Sequence, residues 1–519
     1  MIKIKNIKIY DTTLRDGTQG EGVSLSADEK IKIALELDKL GFDYIEGGWP
    51  GSNQKDREFF EKVKSIGFKN AKLAAFSMTK RKNVEIEKDS NMIELLKAET
   101  PVITIVGKSW DKHVDIVLKI SHEDNLNMIY DTIKFFKDHG REVIFDAEHY
   151  FDAFKSNKEY ALKTLKIAET AGADYLVLCE TNGGTMTDEL IEIIEATKQQ
   201  TNTPLGIHCH NDSGLAIANT IAAVEHGCEM VQGTINGMGE RTGNADLIPI
   251  ISNLQLKKGL KCLEYDRIKE LKHLSLFVYD IMNLIPDKKQ PYVGESAFAH
   301  KGGMHADAVN KDPFTYEHIN PEEIGNKRRI LASDLSGKSN IYAKAKEFGI
   351  ELDDNEARNI TKLVKEKESQ GYSYEAADAS LELLMITHKN PDKELFKTEK
   401  FLVTTERENG CDINRASIVI SVKGEKREAA SEGNGPVDAL NKALRNALSE
   451  FYPTIKKIHL TDFKVRIVDA AKATEAITLV LVESTDGRKT WITIGVSRDI
   501  IAASYEALVE GIEYGLLSI

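Results

Sequence analysis

The sequence predicts an α/β protein: a (β/α)8 TIM barrel, then a helical linker region, then a C-terminal α+β domain with an internal repeat. Three observations carry this prediction. Short β-rich runs alternate with helical stretches eight times over about 250 residues, the span of such a barrel. Polar and reactive side chains recur where each run gives way to the following loop, the rim at which sites of this fold collect. The last part of the chain changes character and contains two similar blocks of alternating strands and an alanine-rich helix.

In chain order the β-rich runs cover residues 7–13, 43–50, 71–77, 101–107, 141–149, 173–181, 204–210 and 228–237. Helical apolar spacing lies between them, as in 28–41, where Ser26 is placed to cap and Gly41 to close the helix, and in 211–227. An open doubly wound sheet is the rival arrangement, but no GxGxxG turn follows any run. The rim residues are then Asp11, Arg15 and Asp16 after the first run, Glu46 and Trp49 after the second, Ser77 and Lys108 after the third and fourth. Glu148 and His149, Thr181 and Asn182, His208 and His210 follow, and Asn236, Glu240, Arg241 and Asn244 end the eighth.

Residues 254–286 read as amphipathic helix, and 291–329 as an irregular segment rich in Gly, His, Asn and Pro. Long irregular segments in compact proteins usually carry function, and this one has Phe298, Met304, Phe314 and Tyr316 to bury, so an ordered linker touching an active site is expected. Residues 341–389 are again helical. The block 416–448 then resembles 476–512, each with two alternating strands joined by a charged turn and an alanine-rich helix in which Ala443-Leu444 corresponds to Ala507-Leu508. Without a cluster of titratable groups, this repeat is expected to regulate or dimerise. The expected division is a catalytic barrel over 1–275, linker subdomains over 276–395 and a regulatory domain over 396–519.

At 519 residues, several domains are expected. A formal charge of −13 argues against a nucleic-acid or anionic-membrane partner. The cysteines, Cys179, Cys209, Cys228, Cys262 and Cys411, form no CxxC pair and read as reduced thiols. The N-terminus alternates charged and apolar residues, unlike a secretory signal, and no apolar run approaches the ~20 residues of a membrane span. A cytoplasmic protein is expected.

The stretch PLGIHCHND, 204–212, concentrates the chemistry. Strand side chains alternate faces, so His208 and His210 point the same way and Cys209 the other. Such a pair can grip a metal ion or simply hydrogen-bond at a strand end. Asp16 adds a carboxylate and the Asn244 amide oxygen a weaker donor. Three protein ligands leave positions open, the design of a catalytic rather than structural site, and an O/N set leaves Zn, Mn, Mg and Co all possible. Arg15 beside them can donate to an oxyanion, while Glu148 can orient a substrate or accept a proton. Metal next to arginine suits a 2-oxo acid chelating through carboxylate and keto oxygens.

The motifs DTTLRDGTQ, EGGWP, HCHND, NGMGERTGN, FAHKGGMHADAV and FKVRIVD resemble the family of 2-isopropylmalate, homocitrate and citramalate synthases over nearly the whole chain. The resemblance implies a Claisen condensation of acetyl-CoA with a 2-oxo acid, followed by thioester hydrolysis. It implies Asp16, His208 and His210 as metal ligands with Asn244 near or on the metal, Arg15 at the developing alkoxide, and Glu148 and Thr181 as 2-oxo acid contacts. It also implies that His305 and Tyr316 of the linker reach the site of the partner subunit in a homodimer, His305 as a candidate acid/base supported by Asp307 and Asn310.

Trp49 and Glu180 depart from the EAGFP and DTVG patterns common in isopropylmalate synthases and resemble the citramalate branch, which uses pyruvate in isoleucine biosynthesis. Isoleucine is the effector this implies for the C-terminal repeat. The alternatives are 2-isopropylmalate synthesis from 2-oxoisovalerate, homocitrate synthesis, a lyase similar to hydroxymethylglutaryl-CoA lyase, and a non-catalytic amino-acid sensor. The basic runs Lys80–Lys82 and Lys327–Arg329 read as solvated loops more readily than as sites for CoA phosphates.

Overall fold

The computed structural model describes residues 6–333, 336–468 and 476–518. Residues 1–5, which begin the N-terminal stretch compared with a secretory signal, and Asp469 at the end of FKVRIVD lie outside them. Two compact units divide the chain: one comprises the residues up to Phe298 with Ile319–Lys327, the other Ala299–His318 with the residues from Arg328 on. No helix among the described residues is long and apolar enough to cross a membrane.

The first unit holds a closed parallel barrel in the order β1 (Lys8–Asp11), β2 (Tyr44–Gly48), β3 (Lys72–Met78), β4 (Val102–Lys108), β5 (Glu142–Glu148), β6 (Tyr175–Glu180), β7 (Leu205–Cys209) and β8 (Met230–Gly233). β8 pairs back to β1, with Tyr10 opposite Gln232, so no edge remains open. All eight β-rich runs of the sequence thus become barrel strands.

Alternation sorts their side chains. Ile9, Ile45, Ile103, Val143, Leu176, Ile207 and Val231 point outward into the core shared with the helices, while Tyr10, Tyr44, Val102, Ile144, Val177 and Met230 fill the barrel. The helix Ala27–Leu40 forms as its sequence foretells: Ser26 and Glu29 make a reciprocal capping box, and Gly41 ends it at φ 91°.

The loop after β2 is pinned from beneath. Lys30 and Asp56 form a buried ion pair, and the other Asp56 oxygen accepts from the Trp49 amide at 2.8 Å. Gly48 adopts φ 142°, and a Cβ there would stand 2.5 Å from the Asp56 carboxyl, so only glycine lets the chain pass.

The second unit opens with β9 (Ala299–His300) beside β10 (Arg329–Ile330). The expected irregular segment contains the helix Gly303–Lys311, which buries Ala306 and Val309 three residues apart. The preceding glycines and the short span hid its period. Of the aromatic and apolar residues expected to be buried, Phe298 is, whereas Met304, Phe314 and Tyr316 are exposed. Arg328 is not a solvated cation: it grips the buried Glu317 through Nε at 2.7 Å and Nη2 at 2.6 Å, and His300 Nε2 lies 3.0 Å from the same carboxyl. Lys80, Arg81 and Lys82 pair with Asp131, Asp89 and Asp124, in keeping with a surface loop.

Each C-terminal repeat has three strands rather than two: β11 (Lys397–Glu408), β12 (Cys411–Val422) and β13 (Glu425–Gly433), then β14 (His459–Ile467), β15 (Thr478–Thr485) and β16 (Thr490–Ser497). Asn409 and Gly410, both at positive φ, turn β11 into β12. The helix Pro436–Leu448 covers one face of the first sheet through Leu440 and Leu444, and the helix Ile500–Ser518 covers the second through Ala507 and Leu508. The expectation that the repeat lacks titratable clusters fails on that last helix. Glu506, Glu510 and Glu513 lie about a turn apart, and burial pushes Glu510 up to about 8 and Glu513 to about 7. Tyr372 and Ser380 donate to Glu506 and Glu510.

Replacing Lys30 with methionine leaves the Asp56 carboxylate buried without its cation, and urea denaturation should show a loss of about 3 kcal/mol.

Candidate active site

A cavity of about 250 Å³ opens at the carboxyl ends of the barrel strands. It is the position the barrel geometry dictates, since the inward residues nearest each strand's end face one another there.

Asp16 enters from the turn after β1. Asp11 fixes this turn by accepting from Thr13 N at 3.0 Å and Thr13 Oγ1 at 2.7 Å, and Thr13 Oγ1 accepts from Ile235 N at 2.8 Å, tying the first strand's exit to the eighth's. Asp16 Oδ2 lies 3.3 Å from His208 Nε2, and His208 Nε2 lies 3.3 Å from His210 Nε2. Among the described residues these three form a group whose ligand atoms all lie within 4.8 Å of one another.

The charges around them are arranged. Arg15 Nη1 stands 3.2 Å from Asp16 Oδ2, Arg15 Nε donates to Glu46, and the guanidinium lies 3.9 Å from the Phe76 ring centroid. Burial opposes ionisation of Asp16, but Arg15 and His208 outweigh it and hold its carboxyl well below the usual range. Burial likewise opposes charge on His208, yet the Asp16 hydrogen bond prevails and raises its pKa. His210 is pushed down to about 3 by burial and by His208, so it is neutral with a lone pair to offer.

These residues fit a divalent cation. The two imidazole nitrogens and the Asp16 carboxylate oxygen converge on one point, where a cation can replace the proton held at His208. The Asn244 Oδ1 is buried with no hydrogen-bond partner among the described residues, while its Nδ2 donates to Met238 O at 3.0 Å, so the oxygen is the free end. Backbone pairing of His210 with Asn244 fixes that amide beside the histidines.

Residues 6–275 match the HMGL-like family, 292–371 the homocitrate synthase post-HMGL domain-like family, and 375–516 the LeuA allosteric (dimerisation) domain. The (R)-citramalate synthase of Aquifex aeolicus is 51% identical over 518 residues, 99% of this chain and 98% of that one. The chain belongs to the citramalate synthase branch of the 2-isopropylmalate synthase family. Within the branch, the Geobacter sulfurreducens (R)-citramalate synthase is 49% identical over 514 residues, 98% of this chain and 97% of that one. Across the wider family, the 2-isopropylmalate synthase of Methanocaldococcus jannaschii is 34% identical over 514 residues, 98% of this chain and 94% of that one.

Strand parity decides which rim residues of this family member face the cavity. Arg15, Trp49, Lys108, Glu148, Thr181 and Glu240 line it, as does Arg241, which grips Asp212 through two bonds of 2.8 and 2.9 Å. Lys108 and Glu148 form an ion pair. Thr181 also has a structural task, its Oγ1 accepting from His149 N at 2.9 Å. Ser77 and His149 fall on the outward parity of their strands, and Asn236 is turned away to Ser275 and Gln290. Trp49 lines the cavity edge-on to Phe76 at 5.7 Å, whereas Glu180, the other departure from the isopropylmalate synthase pattern, holds its own loop through Gly184 N, Thr185 N and Thr185 Oγ1.

Sequence reasoning missed Phe76, Met78, Val106, Asp146 and Cys179, which line the cavity, and Gln232 behind His208. Counting back by two from Lys108, Glu148 and Thr181 would have found Val106, Asp146 and Cys179, whereas Phe76 and Met78 flank Ser77 on the opposite parity. In the second unit His305 and Tyr316 stack with ring centroids 4.0 Å apart, Asp307 pairs with Lys311 at 2.6 Å, and Asn310 is exposed.

Because ligation needs the His208 lone pair, and the Asp16 hydrogen bond raises the His208 pKa, metal binding should be coupled to release of the proton held there and weaken as pH falls. Calorimetric titration with Mn²⁺ in buffers of different ionisation enthalpy measures that proton; zero release would contradict this assignment of charge to the three ligands.

Proposed function

We propose that the chain is an (R)-citramalate synthase, condensing acetyl-CoA with pyruvate and hydrolysing the thioester to give citramalate and CoA. The observation that carries the reading is the cluster of Asp16, His208 and His210 beside Arg15 in a cavity walled by Trp49, Phe76, Met78 and Val106, in a chain 51% identical to an enzyme of that name. A methyl and an isopropyl side chain differ by two carbons, and each carbon is worth roughly 1 to 3 kcal/mol in an apolar pocket, so walls of this kind can select pyruvate.

Asp16, His208 and His210, with Asn244, would hold a divalent metal, which when bound supplies Lewis acidity toward the keto group. The chain's own residues do the rest. Arg15, kept charged by Asp16 and Glu46 against the cost of burial, donates to the alkoxide that forms as the acetyl carbon attacks the keto carbon. Its fork is held by Glu46 and Phe76, so it needs no reorganisation when charge develops. Glu148, neutralised by Lys108, and the Thr181 hydroxyl position the 2-oxo acid. His305, stacked on Tyr316 and supported by Asp307 and Asn310, is assigned from the family resemblance to acid/base work across a homodimer.

The same reading assigns residues 1–275 to catalysis, 276–395 to a linker contributing active-site groups, and 396–519 to an effector domain answering to isoleucine. Zn, Mn, Mg and Co all suit the ligand set, and a cytoplasmic setting suits a biosynthetic enzyme with free thiols.

Thiol release from acetyl-CoA should be fastest with pyruvate among pyruvate, 2-oxoisovalerate, 2-oxobutyrate and 2-oxoglutarate, and isoleucine should inhibit; preference for 2-oxoisovalerate with inhibition by leucine would overturn the assignment. His208→Ala should lose metal and turnover while its circular dichroism is unchanged. Arg15→Lys, which keeps a charge but loses the fork, should lower kcat by about 10²- to 10³-fold.

A further inference from the structure

Behind the ligand cluster lies a buried chain that the reaction scheme does not use. His208 Nδ1 stands 3.0 Å from Gln232 Oε1, and Gln232 Nε2 donates to Asp146 Oδ1 at 3.0 Å. Gln232 is fully buried and Asp146 is 3% exposed, so these bonds are made without competition from water. All three are inward residues of their strands, His208 on β7, Gln232 on β8 and Asp146 on β5, with Gln232 directly beside His208 in the barrel register.

Burial raises the Asp146 carboxyl to about 7, and with that carboxyl ionised the polarity of this chain has one self-consistent reading. A glutamine side chain offers two hydrogens at one end and an oxygen at the other. The Asp146 carboxyl oxygen takes the hydrogens, which turns the Gln232 oxygen toward His208. An oxygen facing Nδ1 requires that Nδ1 carry the proton. In the neutral ring the His208 lone pair is then on Nε2, the atom 3.3 Å from both Asp16 and His210. The amide therefore chooses the tautomer that ligates, and holds the ring against rotation.

We propose that Gln232, oriented by Asp146, is a positioning residue for the metal site: it selects the ligating tautomer of His208 and fixes its ring. The proposal rests on Asp16, His208 and His210 being the metal ligands, but on no assumption about the substrate. Outer hydrogen bonds of this kind change metal affinity by about 10- to 100-fold.

The test reads Mn²⁺ and Zn²⁺ affinity of the purified full chain by competition with a chromophoric chelator, without substrate, alongside thermal unfolding of the metal-free protein. Gln232→Met removes the acceptor at nearly constant volume and should weaken binding by about 10- to 100-fold. The double variant Gln232→Glu with Asp146→Asn restores an acceptor toward Nδ1 and a donor behind it, and should bind within about threefold of wild type. Wild-type affinity in a folded Gln232→Met protein would overturn the proposal, as would failure of the folded double variant to recover binding. Should Gln232→Met not fold, the double variant decides alone. A wild-type protein that binds neither ion would sink the ligand assignment itself, an outcome distinct from normal affinity in Gln232→Met.

Discussion

Ionised Asp16 beside two imidazoles, in a site nearly closed to water, is the arrangement on which the rest depends. Burial by itself drives a carboxyl toward its neutral form, and neutral it would be a poor metal ligand. Arg15 reverses that balance, and Arg15 is itself buried and would be costly without Glu46 on its other side and Phe76 against its face. Glu46 in turn accepts from the Tyr10 hydroxyl at 2.6 Å within the barrel. The charges of the rim are thus continuous with the polar layer of the barrel interior, and a change at Tyr10 or Glu46 reaches the ligand cluster through Arg15.

Rigidity comes from a different source on each side. On the first strand it is the Asp11–Thr13–Ile235 relay between neighbouring exits, and after β2 it is the Lys30–Asp56 pair beneath Trp49. Neither carboxylate of these two supports enters the cavity, yet both set where cavity residues stand. Catalysis by prepositioned donors requires such fixed dipoles, because a donor that must swing into place loses interaction energy to reorganisation. The Asp146–Gln232–His208 chain is a third support of the same kind, acting on a ligand rather than on a loop.

Much of this was legible in the chain. The eight runs, the Ser26 cap, the Gly41 stop and the pairing of His208 with His210 on one face follow from local periodicity and capping chemistry, and local rules operate without knowledge of the fold. Reading the rim by proximity to strand ends rather than by parity admitted Ser77 and His149 and passed over Asp146 and Gln232, while Asn236 lies beyond the end of β8, where parity no longer governs. In the linker the glycines before His305 disguised a short helix, and the Asn409-Gly410 turn that marks β11 was overlooked because the repeat was aligned from its second strand. The carboxyl cluster of the last helix was passed over because its partners, Tyr372 and Ser380, come from more than a hundred residues away.

By itself the sequence determined the alternation of strands and helices, the family, and the types of ligand available, because these are carried by neighbouring residues and motif spacing. The family resemblance grouped Asp16 with His208 and His210, but tertiary structure alone decided that their ligand atoms lie within 4.8 Å of one another, that Trp49 faces the cavity while Glu180 does not, and that Gln232 stands behind the histidine. Those are facts of barrel closure and register: which inward residues meet at the rim depends on how eight strands stagger around a ring, a quantity no single strand encodes.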